Sequence, residues 1–221
     1  PLLDPLLPHA LVFDIGGGST EVLWVGIRRR RSGRLRTEIR AVLSLPIGVV
    51  SLTERFLGGD RVLSFDEMVA EIRPGFAAFD AQWRIAQQIG RGGVQMLGSS
   101  GTVTTLAGMR LGLARYDRSR VDGAVLKFAE IARLTRQLVA MDADGRAAEP
   151  CIGPGRADLM LAGCVILEAI CSVWSVGKLR VADRGVREGI LSGLIEQARR
   201  AERPSDPHAC PPAPVLPISP A

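Results

Sequence analysis

The stretch that most limits how this chain can fold is Asp14-Ile15-Gly16-Gly17-Gly18-Ser19-Thr20-Glu21, set between two short apolar runs. Ala10-Leu11-Val12-Phe13 leads into it, and Val22-Leu23-Trp24-Val25 leaves it. Both runs read as short buried strands, so the glycines sit in the turn of a hairpin. With the turn centred between Gly17 and Gly18, Phe13 faces Val22, Val12 faces Leu23, and Asp14 faces Glu21. Directly paired residues share a face, with Cβ atoms about 4.5–5.5 Å apart. Two carboxylates that close repel unless a cation or a proton sits between them. Beside them, three glycines and two hydroxyls offer backbone N–H groups that a phosphate can approach with no Cβ in the way. The stretch therefore predicts a phosphate cradle flanked by a hydrated metal ion. Taken alone, such a turn is more often only a flexible hairpin loop. The Walker pattern is excluded, because it needs Gly-Lys-Ser/Thr and a helix, and no Lys occurs before Lys127. The dinucleotide fingerprint is excluded too, since a strand rather than a helix follows these glycines.

With 221 residues, 47% of them hydrophobic, the chain can bury a substantial core as one large domain or two small ones. It begins at Pro1 shortly before a buried strand, which reads as a cut inside a longer protein. No leader pattern and no bilayer-length apolar run is seen, so a soluble, cytoplasmic protein with no membrane partner is expected. The net charge is +5, and only Lys127 and Lys178 among the 28 basic residues are lysines. Arginine suits bidentate phosphate recognition, so an anionic ligand is expected. The densest cluster, Arg28 to Arg31 with Arg34 and Arg36, has no aromatic residues interleaved for base stacking. It reads as a solvated turn, and no nucleic-acid partner is expected. Cys151, Cys164, Cys171 and Cys210 form no Cys-x-x-Cys pair, and His9 and His208 sit at opposite ends. No zinc site can be built from them, and buried reduced thiols are the expectation.

After the hairpin, residues 35–45 read as a third antiparallel strand closed by Pro46, then a short helix from Val49 to Phe56. A longer helical stretch runs from Phe65 to about Gln88, opened by a Ser64/Glu67 capping box and kinked or split by Pro74-Gly75. Val94 to Leu97 is a short strand that opens a second candidate site. Gly98-Ser99-Ser100-Gly101-Thr102 follows, then a helix, and a strand feeding a helix N-terminus through a Gly/Ser loop can bind an anion. A well-capped helix with no ligand explains the same residues. Phe128 to Met141 reads as an amphipathic helix, followed by a polar loop through Gly145 and Pro150. Arg156 to Val176 reads as a helix buried between layers. Leu179 to Ala182 is the last strand, Asp183-Arg184-Gly185 its turn, and Val186 to Ala201 the final amphipathic helix. Asp183 can cap that helix, and Arg184 can reach the phosphate site. From Pro204 to the end the chain is Pro-rich and reads as a disordered tail. The element order implies a mixed sheet with helices packed on it and a ligand crevice at the carboxyl ends of its strands.

Five stretches resemble one family in its order and spacing: Asp14 to Glu21, Leu45-Pro46-Ile47-Gly48, Gly98 to Thr105, Arg156-Ala157-Asp158, and Asp183 to Gly189. They resemble the exopolyphosphatase/guanosine pentaphosphate phosphohydrolase (Ppx/GppA) family. The likeness spans residues 9–200. It implies an RNase H-like α/β domain of the actin-like ATPase superfamily, a mixed sheet with helices on both faces. It further implies Mg²⁺-assisted hydrolysis of terminal phosphoanhydrides in inorganic polyphosphate or pppGpp. By the same resemblance, Asp14 and Glu21 are the catalytic carboxylates and hold the metal. Gly16, Gly17, Gly18, Ser19 and Thr20 bind phosphate, with Ser99, Gly101, Thr102 and Arg184 facing the same cleft. The family's first domain carries the other phosphate loop and a proposed catalytic glutamate, for which nothing before Leu11 leaves room. Residues 1–203 are thus expected to be the second domain, inactive alone, and 204–221 a tail. A homodimer of the full-length protein is a further implication. An ATP-binding half of an actin-like ATPase or kinase, and a non-catalytic polyphosphate or alarmone sensor, remain the alternatives.

Overall fold

A computed structural model describes residues 2–29, 35–57 and 63–183 of the chain. The expected final helix, Arg184, Cys210, the 203/204 domain boundary and the Pro-rich tail all lie outside these residues. β1 (His9–Ile15) and β2 (Thr20–Arg29) form the expected hairpin in the expected register, Phe13 opposite Val22, Val12 opposite Leu23 and Asp14 opposite Glu21. β3 (Leu35–Leu45) continues the antiparallel meander, with Arg40 as an extra residue where the register shifts opposite Trp24 and Val25. β4 (Val94–Ser99) lies parallel to β1. β5 (Val125–Lys127) pairs antiparallel with β6 (Lys178–Val181), which runs parallel to β4. The sheet order is β3-β2-β1-β4-β6-β5, a mixed sheet. The sequence reading lacked β5, because three residues are too few to display alternation.

The helices are α1 (Val49–Leu57), α2 (Phe65–Trp83), α3 (Ile85–Gly90), α4 (Gly101–Arg110), α5 (Arg118–Val121), α6 (Phe128–Ala140), α7 (Ala143–Ala148) and α8 (Ala157–Val173). α7 occupies part of the stretch read as a polar loop. The Ser64/Glu67 capping box opens α2 as expected. The break after α2 falls elsewhere than expected. The helix runs on through Pro74 and ends at Arg84, which takes the left-handed conformation with φ 53°. Pro74 removes one backbone donor but is offset by buried Ile72, Phe76 and Phe79, which hold both halves of α2 in the core. The turn at Arg84 is fixed by Asp80, whose Oδ1 accepts from Ala86 N at 2.7 Å and from Trp174 Nε1 at 2.8 Å.

Strand alternation divides β1 between two faces. Leu11, Phe13 and Ile15 join the large apolar cluster that includes residues of α1, α2, α4, α6 and α8. Ala10 joins a smaller cluster with Val25, Ile27 and Leu97, against which Val12 and Leu23 pack. Asp14 continues the series of Ala10 and Val12, so it lies on this second face. Cys151, Cys164 and Cys171 are buried and free, as expected, and burial pushes the Cys164 thiol up to about 12. Among the described residues no helix is long and apolar enough to cross a membrane.

Candidate active site

The first loop is tied down on both sides by backbone bonds. Gly16 N donates to Ser19 O at 2.9 Å, which closes the turn. Val49 N donates to Gly16 O at 2.9 Å and Val50 N to Gly17 O at 2.8 Å. The first-turn amides of α1 therefore serve the loop rather than a ligand. Contact at this point is so close that a Cβ on Gly48 would lie 2.3 Å from the Gly17 carbonyl. Thr20 is fully buried and its hydroxyl donates to Ile47 O at 2.6 Å. Its side chain thus holds the loop to the segment before α1, leaving Gly16 to Ser19 as the reachable part of the cradle.

Four residues stand side by side across neighbouring strands at this end of the sheet. Ser99 of β4 pairs with Asp14 of β1, Asp14 with Glu21 of β2, and Glu21 with Ser44 of β3. Paired residues share a face, so the row lies on the face of the smaller cluster. Burial, and after it the charge of Glu21, pushes the Asp14 carboxyl above its ordinary value. Glu21 Oε1 accepts from Ser19 Oγ at 2.6 Å and from Ser44 Oγ at 3.0 Å. Among the described residues no group of three or more His, Cys, Asp or Glu could by itself hold a metal. Asp14 and Glu21 nevertheless fit Mg²⁺, which is held by one or two carboxylates and completes its shell with water and substrate phosphate.

The second loop opens α4. Ser100 caps the helix, its hydroxyl accepting from Val103 N at 3.0 Å. The amides of Gly101 and Thr102 precede the first intrahelical bond and are available to an anion. α8 crosses close behind them: a Cβ on Gly163 would stand 2.0 Å from Thr102 Oγ1. Gly16, Gly17, Val49, Gly101, Thr102 and Arg156, with Ile15, Leu159 and Met160, line one cleft. The two loops expected to share a site therefore do so. Arg156 is a cleft residue to which the sequence reading gave no role. Its guanidinium lies 3.4 Å from where a Gly101 Cβ would be, near the α4 amides. The Arg156-Ala157-Asp158 motif was the available signal. Asp14, Glu21 and Ser99 are not in the cleft lining. They lie on the opposite face of the hairpin, so the glycine turn is bordered by carboxylates on one side and the cleft on the other. Asp183, expected as a helix cap, accepts from Tyr116 Oη at 2.6 Å and pairs with Arg118 at 3.4 Å.

Comparison with known proteins settles the family, because residues 8–198 match the Ppx/GppA phosphatase family. The chain belongs to the Ppx/GppA phosphatase family. Exopolyphosphatase 2 of Mycobacterium tuberculosis is 27% identical over 188 residues, covering 83% of this chain and 55% of that protein. The guanosine-5'-triphosphate,3'-diphosphate pyrophosphatase of Pseudoalteromonas atlantica is 27% identical over 203 residues, covering 88% of this chain and 35% of its own. A crystal structure of the Aquifex aeolicus Ppx/GppA phosphatase aligns with a TM-score of 0.63 at 28% identity, over 85% of this chain and 57% of that one. An exopolyphosphatase-like protein aligns with a TM-score of 0.70 at 28% identity, over 90% and 62%. This Ppx/GppA chain thus spans about half the length, or less, of the curated relatives it matches. Its mixed α/β sheet is that of the Ppx/GppA structures, the actin-like fold expected from the sequence.

Proposed function

We propose that this chain is the phosphate- and metal-holding half of a phosphohydrolase that releases terminal phosphate from inorganic polyphosphate, from pppGpp, or from both. The observation that carries the reading is the pairing of Asp14 with Glu21 on either side of the glycine turn. Phosphoryl transfer asks a protein mainly to position the group and neutralise its charge. The amides of Gly17 to Ser19 and of Gly101 and Thr102 hold the terminal phosphate, with Arg156 beside the second set. Asp14 and Glu21 hold Mg²⁺, which when bound screens phosphate charge and supplies ordered water. Both substrates present the same terminal group, so the reading extends to either. Family relatives named for polyphosphate and for pppGpp support it. The relatives' greater length supports a further step: this chain binds phosphate weakly and does not turn over alone.

The test measures phosphate release from long-chain polyphosphate and from pppGpp, with Mg²⁺ present. This chain is run beside the same chain joined to the amino-terminal portion of the Mycobacterium tuberculosis relative. Release by the joined protein alone, abolished by Glu21→Gln, is the expected result. Binding of tripolyphosphate without release in either would replace the hydrolase with a sensor. Robust release by the 221-residue chain would overturn its assignment as an inactive half.

A further inference from the structure

We propose that Ser44 is a positioning residue for Glu21, fixing which carboxylate oxygen is presented to the divalent cation. The inference rests on the reading of Glu21 as a metal-side carboxylate. Glu21 Oε1 accepts two hydroxyl protons, from Ser19 at 2.6 Å and from Ser44 at 3.0 Å. Among the described residues no hydrogen bond reaches Oε2. One oxygen is therefore committed to the protein and the other is left for a cation or its water.

The second donor matters because the terminal torsion of a glutamate is broad and roughly two-fold. One hydroxyl tethers an oxygen but leaves the carboxylate plane loosely set. Two hydroxyls arriving from different elements fix it, Ser19 from the turn and Ser44 from β3. A serine has a single proton to give, and both serines direct theirs to Oε1. The register explains why β3 can contribute. Ser44 lies directly opposite Glu21, while its neighbours Leu43 and Leu45 pack against the large core. The Ser44 side chain is exposed, so its replacement removes a hydrogen bond and leaves no cavity.

The experiment is Mn²⁺ binding to the full chain without substrate, read from loss of the free-ion EPR signal and repeated with Mg²⁺ in competition. Ser44→Ala is expected to weaken Mn²⁺ binding about three- to tenfold, one lost charge-assisted hydrogen bond in a preorganised site. Ser44→Thr, which keeps the hydroxyl, is expected to restore affinity to within about twofold of the unsubstituted chain. Circular dichroism and the unfolding midpoint of Ser44→Ala are expected to match the parent, which separates positioning from folding. Unchanged binding in Ser44→Ala, together with loss in Glu21→Gln, overturns the role of Ser44 and leaves Glu21 in place. Equal failure of Ser44→Thr and Ser44→Ala also overturns it. If neither Asp14→Asn nor Glu21→Gln alters binding, or if the parent binds no Mn²⁺, the metal reading itself falls and takes this inference with it.

Discussion

Gly48 and Gly17 touch backbone to backbone: a Cβ on Gly48 would lie 2.3 Å from both the carbonyl carbon and oxygen of Gly17, and 2.5 Å from Gly18 N. No side chain fits there, and the obstacle is main chain that cannot swing aside. Gly48→Ala is expected to push α1 off the loop, breaking the Val49–Gly16 and Val50–Gly17 bonds. The cost is at least about 2 kcal/mol by analogy with overpacked cores. Denaturant titration measures it, and tripolyphosphate binding should fall in the fraction that still folds.

Asp14 carries a raised proton affinity, caused first by burial and then by Glu21. A carboxyl that binds its proton more tightly when folded lowers stability at neutral pH and returns it as pH falls from the raised native value towards the ordinary one. Asp14→Asn is therefore expected to raise the melting temperature of the metal-free protein near pH 7. The gain should shrink on acidification, while Mn²⁺ binding is lost. Melting curves in EDTA from about pH 4, near the ordinary Asp value, up to about pH 8 check the sign.

Tyr116 is the only tyrosine in the chain, so tyrosinate absorbance reads it directly. Burial and the Asp183 carboxylate push its hydroxyl up to about 12. The folded value exceeds the unfolded one, so the stability tied to this group is complete below about pH 10. It is lost as pH rises towards about 12. Asp183→Asn is expected to lower the titration midpoint, and Tyr116→Phe to flatten the alkaline arm of the stability curve.

Asp80 joins two parts of the core, accepting from the Trp174 indole and from the Ala86 amide in the first turn of α3. Asp80→Ala leaves the Trp174 indole N–H without its acceptor, although that tryptophan is fully buried. A loss of about 1–3 kcal/mol is expected, with a shift in tryptophan emission.

The hairpin was legible down to individual pairs because two apolar runs of matched length flank a turn that only a few residue types permit. The two loops and their shared end of the sheet followed from strand-then-glycine punctuation. What escaped was set by contacts distant in sequence. Pro74 carries a break signal that buried Phe76 and Phe79 override, whereas Arg84, an unremarkable residue locally, turns the chain because Asp80 and Trp174 meet there. Arg156 reaches the cleft by the passage of α8 over α4, made possible by Gly163 against Thr102. Nothing in the 35–45 strand pattern marks Ser44; only the ladder sets it opposite Glu21. Pattern within a segment is local information, and a site assembled from four strands and three helices is not.

The row Ser99–Asp14–Glu21–Ser44 makes the chemistry hostage to strand alignment. Side chains alternate with a period of two, so sliding β2 by a single position against β1 would turn Glu21 towards the helices and bring Val22 out. The core would lose Val22 and Trp24 by the same movement. Misfolding by one step and loss of the carboxylate pair are therefore a single event. Any chain that has buried this sheet correctly has also assembled its charges.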